Sequence, residues 1–436
     1  MKKLFDAANC KCGKKHNVFM PEVMIGKGVL ARLPEIINEF HAKKVFLLAD
    51  KNTFAVAGDN LCRILDISGI AYEKYIYQEE HLEPEEKAVG SAVMHFDTEC
   101  DLVIGIGSGV INDIGKILCK IADRKYIIVA TAPSMDGYAS NSSSMALDGL
   151  KVSLPSHSAD VIVGDIDVLK NAPMRMLQAG LGDMLAKYVS IVEWQIGHLV
   201  TGEYYCDAVA ELVREALKKC VDNAEGLLAR DENAVEAVFE GLVISGLAMS
   251  YAGVSRPASG VEHYFSHVWD MRGLEFGTQV DLHGIQCALG TLFTTKLYDV
   301  LKKMTPDEDT AKTYVESFCY EQWADVLRSF LGYSGETMIA QERKEQKYNK
   351  AAHSVRFVSI AQNWDKILDV LNQLPSSEEI AHILNTIGIP TDVQNLGIDK
   401  ETLRLTFLAT KDIRNKYVLS HLAWDIGVLD ELCEYL

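Results

Sequence analysis

The stretch DLVIGIGSGVINDIGKILC, residues 101–119, combines a buried strand, a glycine turn and an amphipathic helix. The strand pattern ends among Gly105, Gly107 and Gly109, and the helix pattern follows at once. Glycines let backbone N–H groups approach a phosphate closely, and a helix N-terminus adds about half a positive charge. The spacing is not a strict G-x-G-x-x-G, so a tight strand-to-helix turn is the alternative. We expect the loop to bind a dinucleotide phosphate.

Similar apolar runs occur on both sides of this stretch. Residues 44–50, 71–77 and 125–130 also have strand patterns, and helix patterns separate them. Near-continuous apolar strands that alternate with helices indicate a parallel sheet covered on both faces. From residue 172 onward the apolar spacing is helical. The sequence predicts a doubly wound, Rossmann-like α/β domain over residues 1–171 and an all-helical domain over 172–436.

Asp50 closes the strand pattern KVFLLAD, residues 44–50. A carboxylate at the C-terminal end of such a strand can accept hydrogen bonds from an adenosine ribose and would repel a 2′-phosphate. Asp is also common as a helix cap or turn residue. The ribose role, which would favour NAD over NADP, is therefore one of two interpretations.

Composition excludes several classes of partner. The 436 residues are 48% hydrophobic and 24% charged, with a formal net charge of -18, which argues against a nucleic acid or an anionic membrane. We find no apolar run of the roughly 18 to 20 residues that a membrane span needs, and no signal peptide. The ten cysteines are scattered, so we expect a reduced, cytoplasmic protein. An anionic substrate would need a local cluster of cations.

The N-terminal segment CKCGKKH contains Cys10, Cys12 and His16. These residue types suggest a small metal site, but a structural zinc ion usually has four ligands and no second pair completes this set. We expect an ordinary N-terminal loop.

The helical half contains polar residues in apolar surroundings, namely Asp183, His263, His267 and His283. One carboxylate and two imidazoles leave coordination positions open, as a catalytic metal site requires. His263 and His267 are four residues apart and project from the same helix face. Alternatively, Asp183 and Lys187 form a surface ion pair, and each histidine is an ordinary hydrogen-bonded residue.

Five motifs resemble those of the bacterial glycerol-1-phosphate dehydrogenases, in the iron-containing alcohol dehydrogenase and dehydroquinate synthase superfamily. They are GIGSGVINDIGK, TAPSMDGYASNSSS, GLGDMLAKY, RPASGVEHYFSH and DLHG, in that order. The resemblance implies a nucleotide domain followed by a helical metal-binding domain. It implies that Asp183, His263 and His283 bind a divalent metal, with zinc favoured over nickel or iron, and that His267 contacts the substrate.

The resemblance also assigns the cofactor segments. It implies a pyrophosphate loop formed by Gly107, Ser108, Gly109, Val110 and Ile111. It implies further cofactor contacts from Thr131, Ala132, Pro133, Ser134 and Ser140. In this family the serine-rich loop after the strand at 125–130 lies over the nicotinamide, and Asp136 contacts the substrate.

The implied reaction is the reversible reduction of dihydroxyacetone phosphate to sn-glycerol 1-phosphate with NADH or NADPH. A small phosphorylated substrate needs cations, for which Arg256, Lys187 and Lys151 are candidates. A glycerol or other polyol dehydrogenase is the nearest alternative, and a dehydroquinate-synthase-like lyase or a non-catalytic binding protein is more distant. The family also implies a homo-oligomer, a dimer or larger.

Overall fold

A computed structural model describes residues 10–16, 19–147 and 150–436, without the side chains at positions 150, 151 and 395. The chain forms two compact units. The sheet unit comprises Met1–Met184 and Glu211–Val254, and the helical unit comprises Leu185–Ala210 and Ser255–Leu436. The Lys151 side chain proposed for phosphate binding lies outside the described part.

The sheet unit is built on six parallel strands. In chain order they are β1 (Glu22–Gly26), β2 (Lys44–Asp50), β3 (Ala71–Tyr77), β4 (Leu102–Gly107), β5 (Lys125–Ala130) and β8 (Val161–Asp165), with a separate antiparallel hairpin of β6 (Ser142–Leu147) and β7 (Leu150–Pro155). The spatial order is β1-β8-β5-β4-β2-β3, and every neighbouring pair is parallel. The predicted α/β domain with a Rossmann-like sheet is confirmed.

The strand order reverses between β2 and β4. From β2 the chain adds β3 on one side, then returns to add β4 and β5 on the other. Ligands of open α/β sheets bind outside the carboxyl ends of the strands at such a switch point. Asp50 ends β2 and Gly107 ends β4, so both residues predicted to contact the cofactor lie at this edge.

The helices alternate with the strands in the first part of the chain and then follow one another. In the sheet unit they are α1 (Leu33–Glu39), α2 (Lys51–Thr53), α3 (Asp59–Ile67), α4 (Glu86–His95), α5 (Gly109–Ala122), α6 (Ile166–Leu169) and α9 (Glu232–Ala252). Helices α7 (Met174–Thr201) and α8 (Asp207–Asp222) each have residues in both units. The helical unit adds α10 (Val261–Phe276), α11 (His283–Leu301), α12 (Glu308–Ser317), α13 (Tyr320–Leu331), α14 (Tyr333–Glu345), α15 (Lys350–Leu371), α16 (Ser377–Thr386), α17 (Lys400–Thr410), α18 (Leu419–Asp425) and α19 (Leu429–Cys433).

Helix α9 explains why the compact units differ from the predicted division at residue 172. Most of its residues are buried, and its Phe239 packs so tightly on Gly164 of β8 that a side chain at 164 would collide with the ring. The helical sequence pattern predicted that α9 is part of the helical domain, but the buried face of α9 packs in the sheet unit. By composition α9 could cross a membrane, yet 78% of its apolar window is buried, as in a core helix.

The helical unit has its own core. The aromatic ring of Phe265 on α10 lies 6.1 Å, centroid to centroid, from Phe293 on α11 and from Phe407 on α17. All three side chains are buried. This packing fixes α10 and α11 against each other, and these helices carry the three candidate histidines.

Candidate functional site

The glycine loop joins β4 directly to α5, as the sequence predicts. Helix α5 begins at Gly109, and its cap residue Ser108 makes no side-chain capping bond. The first N–H groups of a helix have no partner within the helix, so those of Gly109, Val110 and Ile111 suit an anion. A side chain at Gly107 would collide with Ile111. The backbone can therefore take this course only with glycine at 107.

Gly105 has a different role from the other two glycines. It lies inside β4, where a side chain would strike the buried Tyr126. Glycine is needed at position 105 because β4, β5 and α5 pack closely there.

Asp50 caps the short helix α2. Its Oδ1 accepts the N–H groups of Asn52 (2.8 Å) and Thr53 (2.9 Å), and the Thr53 hydroxyl closes a capping box. The helix-cap interpretation is thus realised, and the ribose contact remains a prediction.

The segment predicted to contact the cofactor after β5 is buried beside the glycine loop. Thr131 donates its N–H to the Gly107 carbonyl at 3.1 Å. The Tyr138 hydroxyl donates to the Ala132 carbonyl at 2.6 Å, which folds the chain back over Pro133 and Ser134. These contacts bring the two predicted cofactor segments to one edge of the sheet.

Lys116 organises the serine-rich loop, although no sequence pattern singles it out. Its fully buried ammonium pairs with Asp113 at 2.9 Å and donates to Ser140 Oγ at 3.2 Å. It also donates to the carbonyls of Gly137 and Ser142. Because a buried ammonium needs several acceptors, Lys116 fixes this loop around Ser140.

Gly180 lets helix α7 approach the cofactor segment. A Cβ there would overlap the Pro133 carbonyl and crowd Val238 at 2.9 Å. The GLGD motif therefore positions the loop at 131–134 by leaving room for it.

We predict that Gly180→Ala lowers the free energy of unfolding by about 1 to 3 kcal/mol, the usual cost of overpacking. It should also weaken NADH binding, because Pro133 must move. Gly90→Ala is the matched control, since its Cβ would meet only Met94, at 4.0 Å. That change should stabilise α4 by up to about 1 kcal/mol through helix propensity. Urea unfolding and NADH fluorescence titration measure both effects, and equal stabilities would contradict the packing argument.

Asp136 and Asp183 are linked in the sheet unit. The N–H of Asp136 donates to Asp183 Oδ2 at 3.0 Å, and the Ser245 hydroxyl donates to Asp136 Oδ2 at 2.8 Å. Asp183 is fully buried, as is Lys187 four residues later, so the alternative of a surface ion pair is wrong. Asp136, which is predicted to contact the substrate, is thus hydrogen-bonded through its backbone to the candidate metal ligand Asp183.

The three candidate histidines converge in the helical unit. The ring centroid of His283 lies 5.0 Å from that of His263 and 6.3 Å from that of His267. Nδ1 of His263 donates to Glu262 Oε1 at 2.8 Å, and Nδ1 of His283 bonds Ser266 Oγ at 3.0 Å. Partners on Nδ1 fix the ring orientation and leave Nε2 as the nitrogen that a metal could use.

A thiol and a carboxyl group contact these rings, and a second carboxyl group, that of Glu193, accepts the N–H of Val261 at the start of α10. Cys287, one turn after His283 on α11, has its Sγ 3.5 Å from Nε2 of that ring. Burial raises the pKa of Glu262 to about 7, and burial together with Glu262 raises the pKa of Glu193 to about 8. Burial therefore favours the neutral form of both carboxyl groups.

Basic side chains surround the loop that precedes α10. Lys187 donates to the Ala258 carbonyl at 3.1 Å and Lys416 to the Ser259 carbonyl at 2.7 Å. Burial lowers the pKa of Lys416 well below its usual range, and the nearby Arg256 and Arg414 lower it further.

Arg256, like Lys187, is buried. Its guanidinium pairs with Glu203 through Nε (3.1 Å) and Nη2, while its buried Nη1 has no hydrogen-bond partner. The cluster of Lys187, Arg256, Arg414 and Lys416, here called the cation cluster, has the character of an anion site. Lys416 and Arg414 escaped the sequence analysis because they lie in KDIRNKY, far along the chain from the motifs.

Comparisons with known proteins agree on one family. A family model for iron-containing alcohol dehydrogenase matches residues 24–173. The glycerol-1-phosphate dehydrogenase (NAD(P)+) of Halalkalibacterium halodurans is 30% identical over 386 residues, which are 88% of this chain and 87% of the relative. The protein of the same name from Bacillus subtilis is 31% identical over 348 residues, covering 77% and 88%.

Solved structures share the fold. Glycerol dehydrogenase from Schizosaccharomyces pombe superposes with a TM-score of 0.61 at 17% identity, over 95% of this chain and 90% of that one. Sulfoacetaldehyde reductase from Bifidobacterium kashiwanohense, in complex with NAD+, gives 0.61 at 16% identity, over 95% and 96%. Since the relative from H. halodurans is matched over most of its length, this chain belongs to the glycerol-1-phosphate dehydrogenase family of iron-containing alcohol dehydrogenases.

Proposed function

We propose that the protein interconverts dihydroxyacetone phosphate and sn-glycerol 1-phosphate by hydride transfer with NAD(H) or NADP(H). The observation that carries this proposal is the cation cluster, which lies in the same unit as the candidate histidines. A protein with a net charge of -18 has no general attraction for anions, so a local group of basic side chains supports a specific anionic substrate.

The cofactor is proposed to bind at the switch point of the sheet. The N–H groups of the first turn of α5 would hold the pyrophosphate, and Asp50 Oδ2 would accept from the adenosine ribose. Residues 131–134 and Ser140 would border the nicotinamide. Their contacts with Gly107 and Lys116 support this role, since they keep the loop in place before the cofactor arrives.

Asp183, His263 and His283 are the proposed ligands of one divalent metal, with zinc favoured over nickel or iron. The donor set fits, because Nδ1 of each histidine is engaged by a protein partner and Nε2 is the atom left to coordinate. When bound, the metal supplies a Lewis acid that polarises the substrate oxygen. Cys287 lies close enough to His283 to contribute to this set.

Reduction of a ketone consumes one hydride and one proton. The hydride comes from C4 of the nicotinamide, and we assign the proton at the oxygen to His267. His267 is half-buried on the same helix as His263, one turn later. Asp136 would hold a substrate hydroxyl, and Ser245 orients its carboxylate.

The remaining parts of the proposal concern cell biology and assembly. We propose a cytoplasmic homo-oligomer, a dimer or larger, without a nucleic-acid partner. Among the ten cysteines, all within the described residues, none forms a disulfide, as suits a reducing compartment.

The test is ketone reduction by protein that has been stripped of metal and reloaded with zinc or nickel. We expect metal-dependent oxidation of NADH or NADPH with dihydroxyacetone phosphate. With dihydroxyacetone, kcat/KM should be at least about tenfold lower, because one lost hydrogen bond to a charged group costs about 1.5 to 3 kcal/mol. Equal turnover of the two ketones would assign the protein to the polyol dehydrogenases. No oxidation with either ketone, despite bound metal, would reject a dehydrogenase.

A further inference from the structure

The N-terminal segment CKCGKKH, residues 10–16, has no part in the proposed reaction. It precedes the residues matched by the family model. The chain turns back on itself at Gly13, whose φ of 81° is a left-handed conformation that favours glycine. This turn brings the side chains on its two sides together.

The three possible ligands of the segment converge. Sγ of Cys12 lies 3.1 Å from Nε2 of His16, and the ligand atoms of Cys10, Cys12 and His16 all lie within 4.8 Å of one another. Around a tetrahedral zinc ion, bonds of about 2.3 Å to sulfur and 2.1 Å to nitrogen place the ligand atoms about 3.5 to 3.8 Å apart. The side chains are therefore near the spacing of a zinc site.

His16 is oriented as a metal ligand. It is 3% exposed, and its Nδ1 lies 2.8 Å from the carbonyl oxygen of Tyr251 on α9, which accepts its hydrogen. A histidine held through Nδ1 by a backbone carbonyl presents Nε2 to a metal. Here Nε2 faces the Cys12 sulfur.

We propose that Cys10, Cys12 and His16 bind a structural zinc ion that fastens the N-terminal segment to helix α9. Two thiolates balance the charge of Zn²⁺, and the thiols release their protons when the metal binds. A water molecule or a further thiolate fills the fourth position. This proposal departs from the expectation of an ordinary loop, which rested on the lack of a second sequence pair.

The test counts zinc and identifies its ligands in the intact protein. Zinc per chain is measured after dialysis against a weak chelator, and X-ray absorption gives the scatterers. In His283→Ala, which removes a proposed ligand of the catalytic metal, about one zinc per chain should remain, with sulfur at about 2.3 Å. Adding Cys12→Ser should remove it. Adding Cys319→Ser, a change at an exposed cysteine, should not.

Activity separates this site from the catalytic one. Cys12→Ser alone should lower the melting temperature and leave KM for the ketone unchanged. His16→Cys should retain zinc with an additional sulfur scatterer, whereas His16→Ala should lose it. Serine variants of the other cysteines, made one at a time, show whether the fourth ligand is a thiolate.

Two outcomes would overturn the proposal. One is a His283→Ala protein with no sulfur-bound zinc, a result that does not depend on how Cys12→Ser folds. The other is the same zinc content in Cys12→Ser and Cys319→Ser. If ketone reduction fails in the wild type while zinc that depends on Cys12 persists, the proposed function falls and the N-terminal site stands.

Discussion

Replacement of His283 by alanine should release the catalytic metal and lower kcat/KM for dihydroxyacetone phosphate about a thousandfold. The half-buried ring is held at Nδ1 by Ser266, so its removal deletes one oriented ligand without emptying the core. Metal polarisation of a carbonyl contributes several kcal/mol, and about 4 kcal/mol corresponds to a thousandfold change in rate. Metal analysis and steady-state kinetics with NADH measure the two effects.

His267→Ala is the informative companion to this variant. If His267 acts on the substrate rather than on the metal, that protein should keep its catalytic metal and lose about 10² to 10⁴ in kcat, the usual contribution of a positioned acid or base. His382→Ala, at an exposed position on α16, should change neither quantity. Retention of metal and full activity by His283→Ala would contradict the proposed ligand set.

The sheet was largely predictable because its strands have strong and simple patterns. Residues 44–50, 71–77 and 125–130 form β2, β3 and β5 with the predicted bounds, and the fourth strand begins one residue later, at Leu102. Strands β1 and β8 were missed because each has only five residues. A short apolar run cannot be told from a buried helix segment by periodicity. Strand β8 also lies next to the predicted domain boundary.

The candidate site was predictable where it lies in contiguous motifs. GIGSG and TAPS meet at one sheet edge because β4 and β5 are neighbours, and the strand patterns already implied this. The support around the motifs was not visible in the sequence. Glu262 behind His263 and Ser266 behind His283 become apparent only from distances. Local patterns reveal ligands more readily than the groups that orient them.

The basic residues show the same limit of prediction from a single sequence. The net charge of -18 implied that an anionic substrate needs local cations, and Arg256 and Lys187 became candidates from their places beside the histidine and aspartate motifs. Lys416 lies 160 residues after Arg256 and joins the cluster only because the chain following α17 folds back to Ser255 and Ser259. Such long-range pairing has no local signature in a single sequence.

Replacement of Arg256 by glutamine, together with Glu203→Gln, should lower kcat/KM for dihydroxyacetone phosphate about 10- to 100-fold. A hydrogen bond to a charged group contributes about 1.5 to 3 kcal/mol, and each 1.4 kcal/mol is a factor of ten. The double variant is needed because Arg256→Gln alone would leave the Glu203 carboxylate without its buried partner. Turnover of unphosphorylated dihydroxyacetone should stay at the wild-type level.

The phosphate site is tested by the ratio of kcat/KM for dihydroxyacetone phosphate to kcat/KM for dihydroxyacetone, rather than by either value alone. Arg404→Gln is the matched control, since that arginine forms only exposed pairs with Glu401 and Asp430. Arg404→Gln should leave the ratio unchanged. Lys416→Met should lower it, as the Arg256 variant does. If the double variant lowers both ketones equally, the Arg256–Glu203 pair is structural, and the phosphate must be held by other residues. If only the variants in the cation cluster lower the ratio, the helical unit selects the phosphorylated ketone through Arg256 and Lys416.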